Sequence, residues 1–352
     1  MNQLRYQKKV AIFLLLGIVE LSAQETEVTV ARDGFVAIAT DARMAGLGDV
    51  GVATTSDAFS QFSNASKYIF SERKFEVGIT QILGVNAEFN EFTQNSFVFY
   101  NKLEDRSAYA LSFQNYAYTI NGSVDLGTVR PTQEAAIAGS YALRLSQVFS
   151  MSVGGRFVSL RGKAPLVDGF NQASSSGIYG IDVSGSYYGN EIAYKKYNAR
   201  WRAGFSLSNL RGKSDTDKKD IEIYAPSMLR LGVGFDFIFD QDRVLSISSE
   251  YKTLVDSYVE NNSGNSLNYG LQGSIAALGL EYTLKEKIAL RMGHSRGINR
   301  ETDSFTSLGA GFRSRFVAVD MALLLGLSEA ENQVRDNFRI SLSLDLAEVF
   351  SN

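Results

Sequence analysis

The sequence predicts an all-β protein: a 14-stranded antiparallel transmembrane β-barrel of the outer-membrane kind, with an N-terminal hatch or plug. Three observations predict it. From Phe75 to Leu346, apolar and polar residues alternate with a period of two. A strand's side chains point alternately to opposite faces, so each segment offers one apolar face and one polar or glycine face. Many segments run to about 10–12 residues, close to the roughly 9–11 that cross a bilayer at a tilt. Their connections alternate short and long, as periplasmic turns and extracellular loops do in outer-membrane barrels.

At the N-terminus, Arg5, Lys8 and Lys9 precede the apolar run Val10 to Val19, and Leu21-Ser22-Ala23 supplies small residues for cleavage. This predicts a signal peptide at 1–23, a mature start at Gln24 and export to the outer membrane. The run falls short of the roughly 20 residues of a spanning helix. With no Cys in the chain, disulfides, thiol chemistry and lipoprotein acylation are excluded.

Residues 24–74 lack strand alternation. Ala31 to Thr55 is rich in Ala, Gly and Asp, and Ser56 is placed to cap a short helix containing Ala58, Phe59 and Phe62. Closed sheets well beyond ~8 strands leave interior space that must be filled, so this segment is expected to be an internal hatch. Gly46, Gly48 and Gly51 would let its backbone turn tightly there. Gly46-Leu47-Gly48-Asp49-Val50-Gly51 also fits the GxGxxG pattern of dinucleotide sites. That motif needs a βαβ unit, which the surrounding sequence does not supply, so no cofactor is expected.

Barrel strands are expected near 75–83, 93–102, 107–118, 133–144, 148–160, 176–187, 200–210, 228–239, 243–252, 273–284, 288–294, 306–313, 316–324 and 337–346. Tight polar turns fall at Glu104-Asp105-Arg106, Ser146-Gln147, Asp240-Gln241-Asp242, Lys285-Glu286-Lys287 and Ser314-Arg315. Long connections fall at 119–132, 161–175, 211–227, 253–272, 295–305 and 325–336. Only Tyr188 to Ala199 is longer than its place predicts. This parity puts both ends of the barrel domain, 75–346, on the periplasmic side, with 347–352 as a periplasmic tail. A soluble β-sandwich also alternates, but its strands typically run about 5–6 residues. Tyr100, Tyr109, Tyr141, Phe149, Trp201, Phe239, Tyr251, Tyr282 and Phe316 lie near strand ends, as interfacial aromatic belts do.

In the strand at 228–239, Leu229, Leu231, Val233, Phe235, Phe237 and Phe239 form the lipid face. The other face of the wall carries Arg156, Arg202, Arg230, Asp236, Glu281, Arg291, Arg313, Asp320, Arg339 and Asp345. Charges at membrane depth must face a lumen and pair there. Their mixed signs favour a salt-bridged interior packed on a plug over a polar conduit.

No catalytic, cofactor or metal-binding residues emerge, and an enzyme is not expected. The one His, His294, lies at a strand end as an interfacial side chain, and one His without Cys cannot build the usual zinc sites. Asp215, Asp217 and Asp220 alternate with Lys213, Lys218 and Lys219 as a solvated surface, without the glycine and terminal Glu of a Ca²⁺ loop. A net charge of −3 with mixed signs argues against a nucleic-acid partner.

Thr40-Asp41-Ala42-Arg43-Met44-Ala45-Gly46-Leu47-Gly48-Asp49-Val50-Gly51-Val52-Ala53-Thr54 resembles the opening of the PorV/PorQ family, as does Asp57-Ala58-Phe59-Ser60-Gln61-Phe62-Ser63-Asn64-Ala65-Ser66-Lys67-Tyr68. Ala225-Pro226-Ser227-Met228-Leu229-Arg230, Ser307-Leu308-Gly309-Ala310-Gly311-Phe312 and Asn337-Phe338-Arg339-Ile340 extend the likeness to the last strand. The chain departs from the family pattern at Ser63, at Ser66 and in its Phe350-Ser351-Asn352 ending. The resemblance implies a FadL-like barrel with a hatch and a part in type IX protein secretion. The implied partners are the translocon barrel, secreted cargo with C-terminal signal domains, a surface attachment complex and outer-membrane lipid. It marks Asp41, Arg43, Gly46, Gly48, Asp49, Gly51, Asn64 and Lys67 as structural hatch residues and leaves cargo contacts to the extracellular loops. A FadL-like transporter of hydrophobic small molecules and a paralogue without a shuttle role are the competing readings.

Overall fold

The computed structural model describes residues 28–30, 40–86, 90–118, 130–165, 171–215, 222–224, 227–255, 257–259, 266–268, 272–298, 304–326 and 337–350. The expected signal peptide, the start at Gln24, residues Asp217 to Asp220 and a stretch of each long connection lie outside them.

The wall is a closed antiparallel barrel of 14 strands. In chain order they are β1 Phe75–Asn86, β2 Asn90–Leu103, β3 Ser107–Tyr118, β4 Arg130–Arg144, β5 Phe149–Pro165, β6 Asn171–Tyr188 and β7 Asn198–Asp215. They continue as β8 Met228–Ile238, β9 Arg243–Leu254, β10 Gln272–Leu284, β11 Ile288–Gly297, β12 Phe305–Arg313, β13 Val317–Gly326 and β14 Asn337–Asp345. Every strand pairs with its neighbours in sequence, and β14 closes on β1 with Leu342 opposite Ile79. Full closure leaves no unpaired edge, the condition for a sheet in lipid.

The alternation sorts as expected. Ile79, Leu111, Ile137, Val153, Leu231, Leu290 and Leu308 are exposed on the outer face. Arg202, Arg230, Asp236, Glu281, Arg291, Arg339 and Asp345 are buried on the inner one. Tyr100 is the exception among the expected belt residues. It shares the inward phase of Ser96 and Val98, is fully buried, and its hydroxyl donates to Glu76 Oε2 at 2.8 Å. Its ring stacks on Tyr68 at 4.1 Å, so it packs the interior and not the lipid interface.

Strands β5, β6 and β7 run 17, 18 and 18 residues, well past their expected ends. Apolar alternation stops where lipid stops, but backbone pairing needs no lipid and carries the ribbon onward. The long Tyr188–Ala199 connection is a small hairpin, with Ile192 pairing Ala199 and Ala193 pairing Asn198. Between β6 and β7 the register shifts twice. Asn209 sits there at φ +59, and its N–H donates to Asp182 Oδ1 at 2.9 Å. The ladder resumes on both sides, with Tyr179 opposite Lys213 and Val183 opposite Leu207.

Residues 40–71 lie inside the barrel. They form a short helix α1 Ala42–Gly46 and two 3₁₀ turns, Ala58–Phe62 and Ala65–Phe70. The first 3₁₀ turn is capped by Asp57 and not by Ser56. Asp57 Oδ1 accepts from Phe59 N at 2.9 Å, and Ser60 Oγ accepts from Asp57 N at 3.1 Å. After β14 the chain ends in a short helix, α2 Leu346–Phe350, tied to Arg315 through Glu348 at 2.6 Å.

The two faces of the wall give the first test. Val233→Arg, five residues from the turn end of β8 and exposed on the outer face, places a charge in lipid near the midplane and should cost ~2–4 kcal/mol. Thr283→Arg, on the inner face beside an open cavity, should fold like the parent in the same bilayer-insertion assay. Equal penalties would refute the face assignment. Ser341→Arg is not a neutral control, because Ser341 is buried against α1 and its hydroxyl accepts from Ala42 N at 2.8 Å.

Candidate functional site

The hatch residues marked by sequence converge in one place, the interface between residues 40–71 and the inner wall. Asp41 caps α1, its Oδ1 accepting from Met44 N at 2.9 Å. Gly48 ends the helix at φ +73, where a Cβ would meet the His294 backbone at 2.6 Å. Only glycine allows both that conformation and that approach. Gly46 makes a similar close contact with Gly309 of β12. Asp49 follows at φ +68, a left-handed position that Asp tolerates better than most residues.

Two buried charge networks join this segment to the wall. In the first, Arg230 Nη2 donates to the Asp49 carbonyl at 2.8 Å and to Asp49 Oδ1 at 3.2 Å, while its Nε pairs with Glu250. Lys252 pairs with the other Asp49 oxygen. Glu250 Oε2 then accepts from Gly51 N at 2.7 Å and Val52 N at 2.9 Å. In the second, Arg43 makes a two-pronged contact with Glu281, Nε to Oε2 at 3.0 Å and Nη2 to Oε1 at 2.8 Å. Its Nη1 reaches Asp57 Oδ2 at 2.7 Å. Arg291 bridges Glu281 and Asp320 at 2.6 Å each.

Further hydrogen bonds complete the attachment. Asn64 Nδ2 donates to Val52 O, Gly185 O and Ser186 Oγ at 2.9, 3.0 and 2.9 Å, and its Oδ1 accepts from Ser66 N at 3.1 Å. Arg202 of β7 donates to Ala53 O at 2.7 Å while holding Asp236. Lys67 Nζ donates to Gly51 O at 2.6 Å and Thr54 Oγ1 at 3.0 Å. Burial lowers the Lys67 ammonium to about 8.

A polar cavity of about 1150 Å³ remains at the end of the barrel that bears the short turns, lined by Arg43, Asp57, Arg73, Glu76, Arg200 and Arg313 among others. Such turns mark the periplasmic end of outer-membrane barrels. The chemistry available across the interior is charge pairing and hydrogen bonding that fasten one segment to a wall. His294 is elsewhere, exposed on the outer face with Nδ1 3.1 Å from Thr306 Oγ1. Glu250 and Lys252, central to the first network, were not among the lumen residues named from sequence. Their place two residues apart on the polar face of β9 was the available signal.

Removing one partner of a buried pair strands the other charge, at a cost of about 3–5 kcal/mol. Glu250→Ala should therefore detach residues 40–71, seen as protease cleavage within that segment while the barrel stays intact. Protection equal to wild type would contradict the network's role. Asp41 supplies a pH test. Burial raises its carboxyl to about 7, and nearby Asp57 adds to the rise. A free carboxyl titrates near ~4, so the folded state holds a proton the unfolded chain releases between these values. That stabilisation is complete below the unfolded value and is lost as pH rises through the folded one. Protection should fall from about pH 5 to about pH 8 in wild type and stay level in Asp41→Asn, which keeps the cap acceptor.

The model of a known family, type IX secretion system protein PorV, matches residues 21–259, more than half of the chain. No curated protein matches the chain. Among solved structures, the toluene transporter TbuX of Ralstonia pickettii is 11% identical, with 86% of this chain and 96% of that chain covered at a TM-score of 0.50. A deltaS2S3 mutant of the monoaromatic hydrocarbon channel TodX is 12% identical, with 86% and 98% covered at a TM-score of 0.52. At these identities the structural likeness shows the fold. The match through the inner segment and the first nine barrel strands identifies the family: this chain belongs to the PorV family of the type IX secretion system.

Proposed function

We propose that this protein is an outer-membrane component of the type IX secretion system that binds the C-terminal signal domains of cargo at the translocon barrel. It then carries that cargo to the cell-surface attachment complex, with no catalysis of its own. In this reading residues 1–23 are the signal peptide, 24–74 the hatch, 75–346 the barrel and 347–352 a periplasmic tail. The extracellular loops are the cargo surface, and outer-membrane lipid surrounds the wall.

The observation that carries the reading is the family match over residues 21–259. The interior supports it. A conduit for hydrocarbons, the cargo named for TbuX and TodX, needs an apolar path, whereas this interior is crossed by the Arg43–Glu281–Arg291–Asp320 and Arg230–Glu250–Asp49–Lys252 charges.

Affinity purification of the tagged chain from outer membranes, with mass spectrometry of what co-elutes, tests the assignment. We expect a large translocon barrel and secreted proteins sharing one C-terminal domain. Recovery of the barrel alone, carrying a bound hydrophobic small molecule, would replace the shuttle with a transporter.

A further inference from the structure

The outer wall carries a feature that the secretion role does not use. Most lipid-facing positions hold large apolar side chains such as Ile79, Phe97, Leu111 and Leu290. On β7 to β10 this surface is interrupted. Ala203, Ser249 and Ala276 stand among Phe205, Leu231 and Tyr251, leaving an open cavity of about 520 Å³ with predominantly apolar walls. That size lies within the roughly 300–1,000 Å³ that accommodates a small organic ligand.

Phe205, Leu231, Tyr251, Ala276 and Arg296 stand opposite one another in successive ladders. The cavity therefore leads along one row to an arginine. Arg296 shares the outward phase of Leu290 and Met292 and is exposed. Its side chain makes no hydrogen bond or ion pair among the described residues. Counting from Ile288 to Arg296 at ~3.3 Å per residue and a tilt of about 40° puts it roughly 20 Å above the turn end. That is near the upper edge of the ~25 Å apolar band. His294 faces the same way, one inward-facing residue closer to the midplane. A lone cation at the lipid boundary is stable where its head reaches the interface or an anion.

We propose that this groove binds an acyl chain of an anionic phospholipid from the leaflet at the loop end, with Arg296 pairing with its net negative headgroup. The medium around this face is lipid, the groove is apolar, and a charge without a partner among the described residues stands where a headgroup begins. The site lies on the outer wall, apart from the extracellular loops to which the cargo role is assigned.

The test is native mass spectrometry of the full chain released from phosphatidylcholine nanodiscs containing a minor fraction of phosphatidylglycerol. We expect one retained phosphatidylglycerol in preference to phosphatidylcholine. Arg296→Gln should reduce that preference about fivefold, the contribution of one basic residue beside an anionic surface. Ala203→Trp should fill the groove and abolish retention, with Ser249→Leu as a milder filling should the first variant not fold. Ala310→Trp, outward on β12, should change nothing. Unchanged preference in Arg296→Gln, or equal retention in filled and unfilled grooves, would overturn the proposal.

Discussion

A closed sheet of 14 strands encloses more room than its own side chains can fill, and the charges that line it cannot remain unpaired at membrane depth. Both demands are met by the same stretch of chain. Residues 40–71 bring Arg43 to Glu281 and Asp49 to Arg230 and Lys252, and they bring backbone amides at Gly51 and Val52 to Glu250. The wall is built for lipid on one face and for this segment on the other. Neither the lumen charges nor the glycine-rich backbone of the segment makes sense without the other.

The arrangement also explains why small residues recur on the inner face. At Gly293 and Gly309 the inner segment's backbone lies directly on the wall, at Gly48 and Gly46 respectively. A side chain at either wall position would push α1 away and pull the Arg43 and Asp49 contacts apart. Backbone proximity and ion pairing are thus one device, because the short reach of Asp49 requires the close approach that glycine permits.

Much of this was legible in the sequence, and the illegible parts have definite causes. Strand number, order and facing follow from the two-residue period, since one face must meet lipid throughout. The loop-end extensions of β5 to β7 were not readable, because they leave the lipid and lose the alternation while keeping their ladders. Tyr100 misled because an aromatic near a strand end fits both a belt and an interior; only its shared phase with Ser96 and Val98 separates the two. The motif residues Asp41 to Lys67 were identifiable by resemblance, but their partners were not. Ser341 lies 299 residues from Ala42, and Glu281 lies 238 from Arg43. No local pattern encodes pairings at such separations. Asp57 displaced Ser56 as the cap because its second oxygen is also held by Arg43, a tertiary reason outside local propensity.

Those separations also dictate an order of assembly. The inner segment leaves the ribosome before any of the strands it binds, yet its contacts reach from Gln114 on β3 to Ser341 on β14. Contacts this distant along the chain form only after the intervening loops have closed. Arg43 and Asp49 therefore stay hydrated until β8 to β10 are in place, and the Ala42–Ser341 contact waits for β14. The segment cannot finish seating before the final strand arrives, and a chain halted before β14 would lack its last anchor.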